Sequence, residues 1–306
     1  MKFSNGCWLQ RERCACFSPA QVMQTIVEER GVTLIAPTAP VVQKGDTLGG
    51  VNLTIEITVP MPDVIRVRTS HFLGAADNGP VFELNVGEAP AEVEETEDLL
   101  VVRSGKLRLE VKKDPFSMTY YRGDKKLCGS GKRDLAYMKT DWRGNDYYVR
   151  SGDRDAYMRQ MLSLSVGELI YGLGERFTPF VKNGQSVEIW NEDGGTSTEL
   201  SYKNIPFYLS GRGYGVFVNH TERVSFEIGT EAVDKVEFSV PGETLDYFLI
   251  GGEDLKGVLE NYTALTGRPP LPDAWTFGLW LSTSFTTDYD EDAVMSFVEG
   301  MRERDI

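Results

Sequence analysis

Asn52-Leu-Thr-Ile-Glu-Ile-Thr-Val59 alternates apolar and polar side chains without a break, putting Leu53, Ile55, Ile57 and Val59 on one side of an extended chain. Asn52, Thr54, Glu56 and Thr58 fall on the other side. A period of two with one dry and one wet face is the signature of an antiparallel strand covering a core. The reading extends outward from there. Val64 and Val67, with arginines beside them, make the next strand after the turn at Pro60 to Pro62. Leu99 to Val102, then Ser104-Gly105, then Leu107, Leu109 and Val111 among charged neighbours, read as a hairpin. A further turn falls at Arg122-Gly123-Asp124, between Met118-Thr119-Tyr120 and Leu127. The pattern resumes at Tyr214 to Val218, Val224 to Ile228, Val236 to Val240 and Leu245 to Leu249. Residues 1 to 48 are irregular apart from one strand at Val32 to Ile35. Short strands at regular spacing with glycine turns predict a mainly β protein built as an antiparallel β-sandwich.

Between these strands lies a stretch with no hydrophobic period of its own: Tyr171-Gly-Leu-Gly-Glu-Arg-Phe177, then Trp190-Asn-Glu-Asp-Gly-Gly-Thr196, then Asn204-Ile-Pro-Phe207. Its glycines, aromatics and carboxylates mark a loop shaped for contact and held by flanking strands. The mixture suits a sugar, whose apolar ring face stacks on an aromatic side chain and whose hydroxyls donate to a carboxylate.

The character changes at Gly251. Leu255, Val258, Leu259, Tyr262 and Leu265 define an amphipathic helix that stops at Gly267, with Pro269, Pro270 and Pro272 beyond it. Trp275-Thr-Phe-Gly-Leu-Trp-Leu281 reads as a strand buried on both faces, and a second helix starts from Asp290 as its cap, with Val294, Phe297, Val298 and Met301 on one face. A strand and helix of this kind are half of a parallel unit that needs a further strand. The expectation is a sandwich domain over 1–250, a connecting helix and proline-rich linker over 251–272, and over 273–306 the opening of a second, α/β domain cut short.

Composition narrows the partners. Charged residues at 25% and hydrophobic residues at 41% are those of an ordinary soluble protein. A net charge of -14 argues against nucleic acid and against an anionic membrane surface. Met1 to Cys7 has no apolar signal-like run, and no stretch approaches the ~20 apolar residues of a membrane span, so a cytoplasmic location is expected. Cys7, Cys14, Cys16 and Cys128 make no disulfide framework, and with His71 and His220 scattered, no metal or cofactor is expected.

The residues at 171–177, Trp190-Asn-Glu-Asp-Gly-Gly-Thr-Ser-Thr-Glu199, Tyr202-Lys-Asn-Ile-Pro-Phe-Tyr208, Gly211-Arg-Gly-Tyr-Gly-Val216 and Thr276-Phe-Gly-Leu-Trp-Leu-Ser-Thr-Ser-Phe-Thr-Thr287 recur in one order in a known family. The chain resembles glycoside hydrolase family 31 and, within it, the bacterial α-xylosidases. The resemblance implies a galactose-mutarotase-like sandwich followed by a (β/α)8 TIM barrel, of which only the first β/α unit is here. It also implies a retaining mechanism with two aspartates on later barrel strands, so this chain alone would lack catalytic residues and be inert. A retaining site needs its two carboxyl groups ~5 Å apart.

By the same resemblance, Asp193 and Phe285 are substrate-binding residues. Asp193 reaches toward the sugar's hydroxyls, and Phe285 stands just past the first barrel strand, where barrel enzymes build their sites. A ring there takes the space of glucose's C6 hydroxymethyl, which xylose lacks. Taken without the family, Asp193 is a turn carboxylate and Phe285 a core aromatic. Glu175 and Arg176 read as a structural ion pair, Trp190 as packing under the loop, Asn191 as a fixer of the loop backbone, and Trp275 and Trp280 as core. His220 lacks triad partners, and Gly172 with Gly174 makes no phosphate cradle. The function expected is the amino-terminal part of an α-xylosidase acting on terminal α-xylosyl linkages of xyloglucan-type oligosaccharides. Two readings stay open: an α-glucosidase of the same family, and a stand-alone carbohydrate-binding or assembly module. Homo-oligomerisation is also open.

Overall fold

A computed structural model of the chain describes residues 1–6, 9–48, 50–74, 83–87, 90–142, 155–194, 197–280 and 290–306. The chain divides into two compact units, Met1–Arg268 and Pro269–Ile306.

In the first unit every pairing between named strands is antiparallel, and the strands form three sheets. The eight-stranded sheet runs from edge to edge as Ile170–Gly172, Phe207–Ser210, Tyr214–Val218, Thr244–Gly251, Val64–Ser70, Asn52–Met61, Gly31–Pro37 and Gln24–Glu28. A six-stranded sheet contains Leu135–Lys139, Ala156–Ser163, Lys235–Pro241, Val224–Ile228 and Gln185–Ile189, with Ala15–Phe17 at one edge. A five-stranded sheet is made from Lys125–Ser130, Ser117–Arg122, Leu107–Lys112, Leu99–Ser104 and Glu92–Glu95. Leu53, Ile55 and Ile57, the dry face of the opening alternation, are fully buried in one core with Leu109 and Val111 of the five-stranded sheet and Phe226 and Phe238 of the six-stranded one. The mainly β antiparallel sandwich expected from the sequence is the fold of this unit.

The outer face of the large sheet is covered in part by helix α1 (Leu255–Thr266). Asp254 caps it by accepting from the Gly257 amide at 2.9 Å. Val258 and Leu265 pack on Phe207, Phe217 and Phe248, and the Tyr262 ring stacks on Phe207 with centroids 3.9 Å apart. The opposite face of the six-stranded sheet buries Phe3 against Ala136 and Met138.

Several strands escape the sequence reading. The region expected to be irregular holds Ala15–Phe17 and Gln24–Glu28 beside a longer Gly31–Pro37. Leu135–Lys139 and Ala156–Ser163 are strands in which Lys139, Arg159 and Gln160 are buried, so no clean alternation announces them. The central loop is interrupted by Ile170–Gly172, Gln185–Ile189 and Phe207–Ser210, which tie it into two sheets.

The second unit departs from expectation at Trp275 to Trp280, and Leu281, the last residue of the expected strand, lies outside the described residues. Ala274–Phe277 is a 3-10 turn and 278–280 are not a strand. A strand exists through bonding to a neighbour, and no described residue of this unit supplies one. Trp275 and Trp280, expected in a core, are 69% and 71% exposed. Helix α2 (Glu291–Glu303) starts where expected, with Asp290 accepting from the Ala293 amide at 2.7 Å. Its apolar stripe of Val294, Phe297 and Val298 is exposed. No helix among the described residues is long and apolar enough to cross a membrane.

Candidate functional site

The loop between the Gln185–Ile189 and Phe207–Ser210 strands is held, within itself and against the segment after Ile170–Gly172, by backbone contacts that only glycine permits. Gly174 has φ +92°, and a Cβ there would stand 2.1 Å from the Lys203 carbonyl oxygen. At Gly194 a Cβ would meet the Leu200 carbonyl oxygen at 2.4 Å. The two limbs of the loop are joined by the Glu192 amide donating to the Ser201 carbonyl at 3.1 Å and by a parallel bridge between Asn191 and Ser201.

Arg176 closes the base. Its guanidinium donates to the carbonyls of Leu173 at 3.0 Å, Glu188 at 2.8 Å and Glu199 at 3.0 Å, and to Asn204 Oδ1. Desolvation in this half-buried place pulls Arg176 below its ordinary pKa against the opposing field of Glu188. Asn204 passes the constraint on, donating through Nδ2 to the Trp190 carbonyl at 2.8 Å and lying 2.9 Å from Asn191 Oδ1. The expected Glu175–Arg176 ion pair is thus replaced: Glu175 pairs with Lys203 at 3.5 Å, and Arg176 serves backbone carbonyls.

Asp193 stands exposed near the loop's tip and accepts a hydrogen bond from the Tyr202 hydroxyl through Oδ1. That bond pushes the Tyr202 phenol above its ordinary pKa. Trp190, expected under the loop, is 43% exposed, with the Arg223 guanidinium 5.3 Å from its ring centroid and Glu192 3.8 Å from Arg223. On one side of Trp190 an open cleft of about 540 Å³ is lined by Asn204, Pro206, Asn219, His220 and Tyr262. A smaller pocket of about 290 Å³ lies on the other side, toward Arg176 and Glu199. A half-exposed indole that lines two clefts, with side-chain amides beside it, fits a polyhydroxylated ligand with an apolar face.

His220 accepts from the Glu222 amide at 3.1 Å through Nδ1. Cys14, Cys16 and Cys128 are free thiols, and among the described residues no three His, Cys, Asp or Glu side chains gather as a metal site would require. Phe285, Cys7 and the Gly195-Thr196 pair lie outside the described residues, as does the end of the last family motif from Leu281 onward. Sequence reading missed Tyr202 as the partner of Asp193 and Arg176 as the loop's fastening, although both stand inside quoted motifs. Their pairings cross the loop and leave no periodic trace.

The first unit is thus an antiparallel sandwich that carries a glycine-pinned loop rich in aromatic and acidic residues. The chain belongs to the family of the glycosyl hydrolase 31 N-terminal galactose mutarotase-like domain, whose model matches residues 54–227. Over its whole length it is 44% identical to the α-xylosidase XylQ of Lactiplantibacillus pentosus and 43% identical to an α-xylosidase of Emericella nidulans, covering 39% and 40% of those proteins. In fold it is similar to the cycloalternan-forming enzyme of Listeria monocytogenes, solved with a pentasaccharide substrate. The TM-score is 0.76 at 23% identity, over 96% of this chain and 26% of that one. The chain thus spans about two fifths of the length of its curated relatives.

Proposed function

We propose that this chain is the amino-terminal part of a retaining α-xylosidase that removes terminal α-xylosyl groups from xyloglucan-type oligosaccharides. The observation that carries the proposal is identity of 44% with an α-xylosidase along the entire chain. Residues 273–306 then open the catalytic (β/α)8 barrel, and the two carboxyl groups of the reaction lie in the remainder of the polypeptide. The sandwich supplies Asp193 as an acceptor for substrate hydroxyls. Phe285 presses against the sugar ring and takes the space that glucose's hydroxymethyl would need.

The division of labour has a direct test. The 306-residue chain alone is expected to leave an aryl α-xyloside intact, and turnover above background would show that the chemistry has been misplaced. In the longer polypeptide, Phe285→Ala is expected to narrow the preference for α-xyloside over α-glucoside by about tenfold, the scale of a single-group steric discrimination. An unchanged ratio would remove Phe285 from the pocket.

A further inference from the structure

We propose that Tyr202 is a positioning residue for Asp193: its hydroxyl fixes Oδ1 so that the carboxylate is set to accept from a sugar hydroxyl. This rests on Asp193 being a substrate contact. The bond joins the two limbs of the loop, from Tyr202 after Ser201 to Asp193 after Glu192. Both side chains are exposed, Tyr202 at 66%, so the bond compensates for no burial of either group.

Nor does the loop's path depend on it. The limbs are already joined by the Glu192 amide on the Ser201 carbonyl, by the Asn191–Ser201 bridge and by the Arg176 and Asn204 bonds at the base. What the phenol adds is restriction of one carboxylate. A free Asp side chain turns about two torsions, and holding one oxygen removes that freedom before substrate arrives, which favours binding through preorganisation. The carboxylate keeps acceptor capacity after the bond is made, since its oxygens offer about four lone-pair sites. The exposed tyrosine ring beside it also presents an apolar face of the kind that packs on pyranose C–H groups.

The test uses the longer polypeptide, an aryl α-xyloside, and the variants Tyr202→Phe, Asp193→Ala and the pair combined. Tyr202→Phe keeps the ring and removes the donor. It is expected to raise KM about fivefold, the scale of one hydrogen bond, with little change in kcat and the thermal midpoint held. In the Asp193→Ala background the same change is expected to add nothing, because the two residues act as one unit. If Asp193→Ala raises KM while Tyr202→Phe does not, or if the two effects multiply, the positioning role is wrong and the substrate contact stands. If Asp193→Ala leaves both KM and kcat unchanged, the substrate contact itself fails, and the positioning role with it.

Discussion

Arg176 donates to acceptors from four places along the chain: Leu173, Glu188, Glu199 and Asn204. A lysine carries the charge without the planar fork, so Arg176→Lys is expected to lower stability by about 1–3 kcal/mol in urea unfolding, through carbonyls left without a donor. An unchanged urea midpoint would mean that the loop is held by the glycine contacts and Asn204 alone. Gly174→Ala meets both a left-handed backbone and the Lys203 carbonyl, and should cost about 2 kcal/mol or more.

A different single-residue effect sits beneath the amino terminus. Glu237 is 1% exposed, and among the described residues neither carboxylate oxygen has a hydrogen-bond partner; Arg159 lies 4.0 Å away. Desolvation outweighs Arg159 and the Met1 amine, Glu231 and Glu227 add repulsion, and the carboxyl is pushed up to about 8. The folded form therefore holds a proton that the unfolded chain releases above the ordinary carboxylate range. This contribution to stability is present at low pH and is lost as pH rises toward 8. Glu237→Gln should flatten the fall of the urea midpoint between pH 5 and pH 8, a window set by the unfolded and folded values. A slope unchanged in that variant would assign the effect to other groups.

At the scale of elements, α1 is fastened by two fully buried residues, Val258 and Leu265, and by the Tyr262–Phe207 stack. Leu265→Ala should destabilise the first unit by about 2–5 kcal/mol, the range of a buried leucine truncation, read from thermal or urea unfolding. This helix was legible because its apolar spacing, the Asp254 cap and Gly267 all agree. Asn52–Met61 and Leu107–Lys112 were legible because one of their faces is wet. Ala156–Ser163 was not, since the buried Arg159 and Gln160 sit among its apolar residues and break the alternation. The reverse error occurred at Trp275: an apolar run reads as a strand, but pairing decides whether it becomes one. In the site, the residue types of the loop pointed to a sugar, whereas the bonds from Tyr202 and Arg176 arise from long-range closure and had to be seen.

The chain combines a well-packed sandwich with a short second unit that has exposed apolar side chains, including Phe277, Leu279, Val294 and Phe297. Exposed apolar surface of this kind favours association, so Val294→Glu with Phe297→Glu should reduce concentration-dependent aggregation of the chain, followed by light scattering. A net charge of -14 opposes binding to polyanions. The measurement that bears most directly on the proposed function is kcat/KM of the longer polypeptide on an aryl α-xyloside and on the matching α-glucoside. The xyloside should lead by about tenfold or more, the discrimination expected where a pocket rejects one extra hydroxymethyl group. Preference for the glucoside, or hydrolysis of neither, would contradict the assignment to xylose.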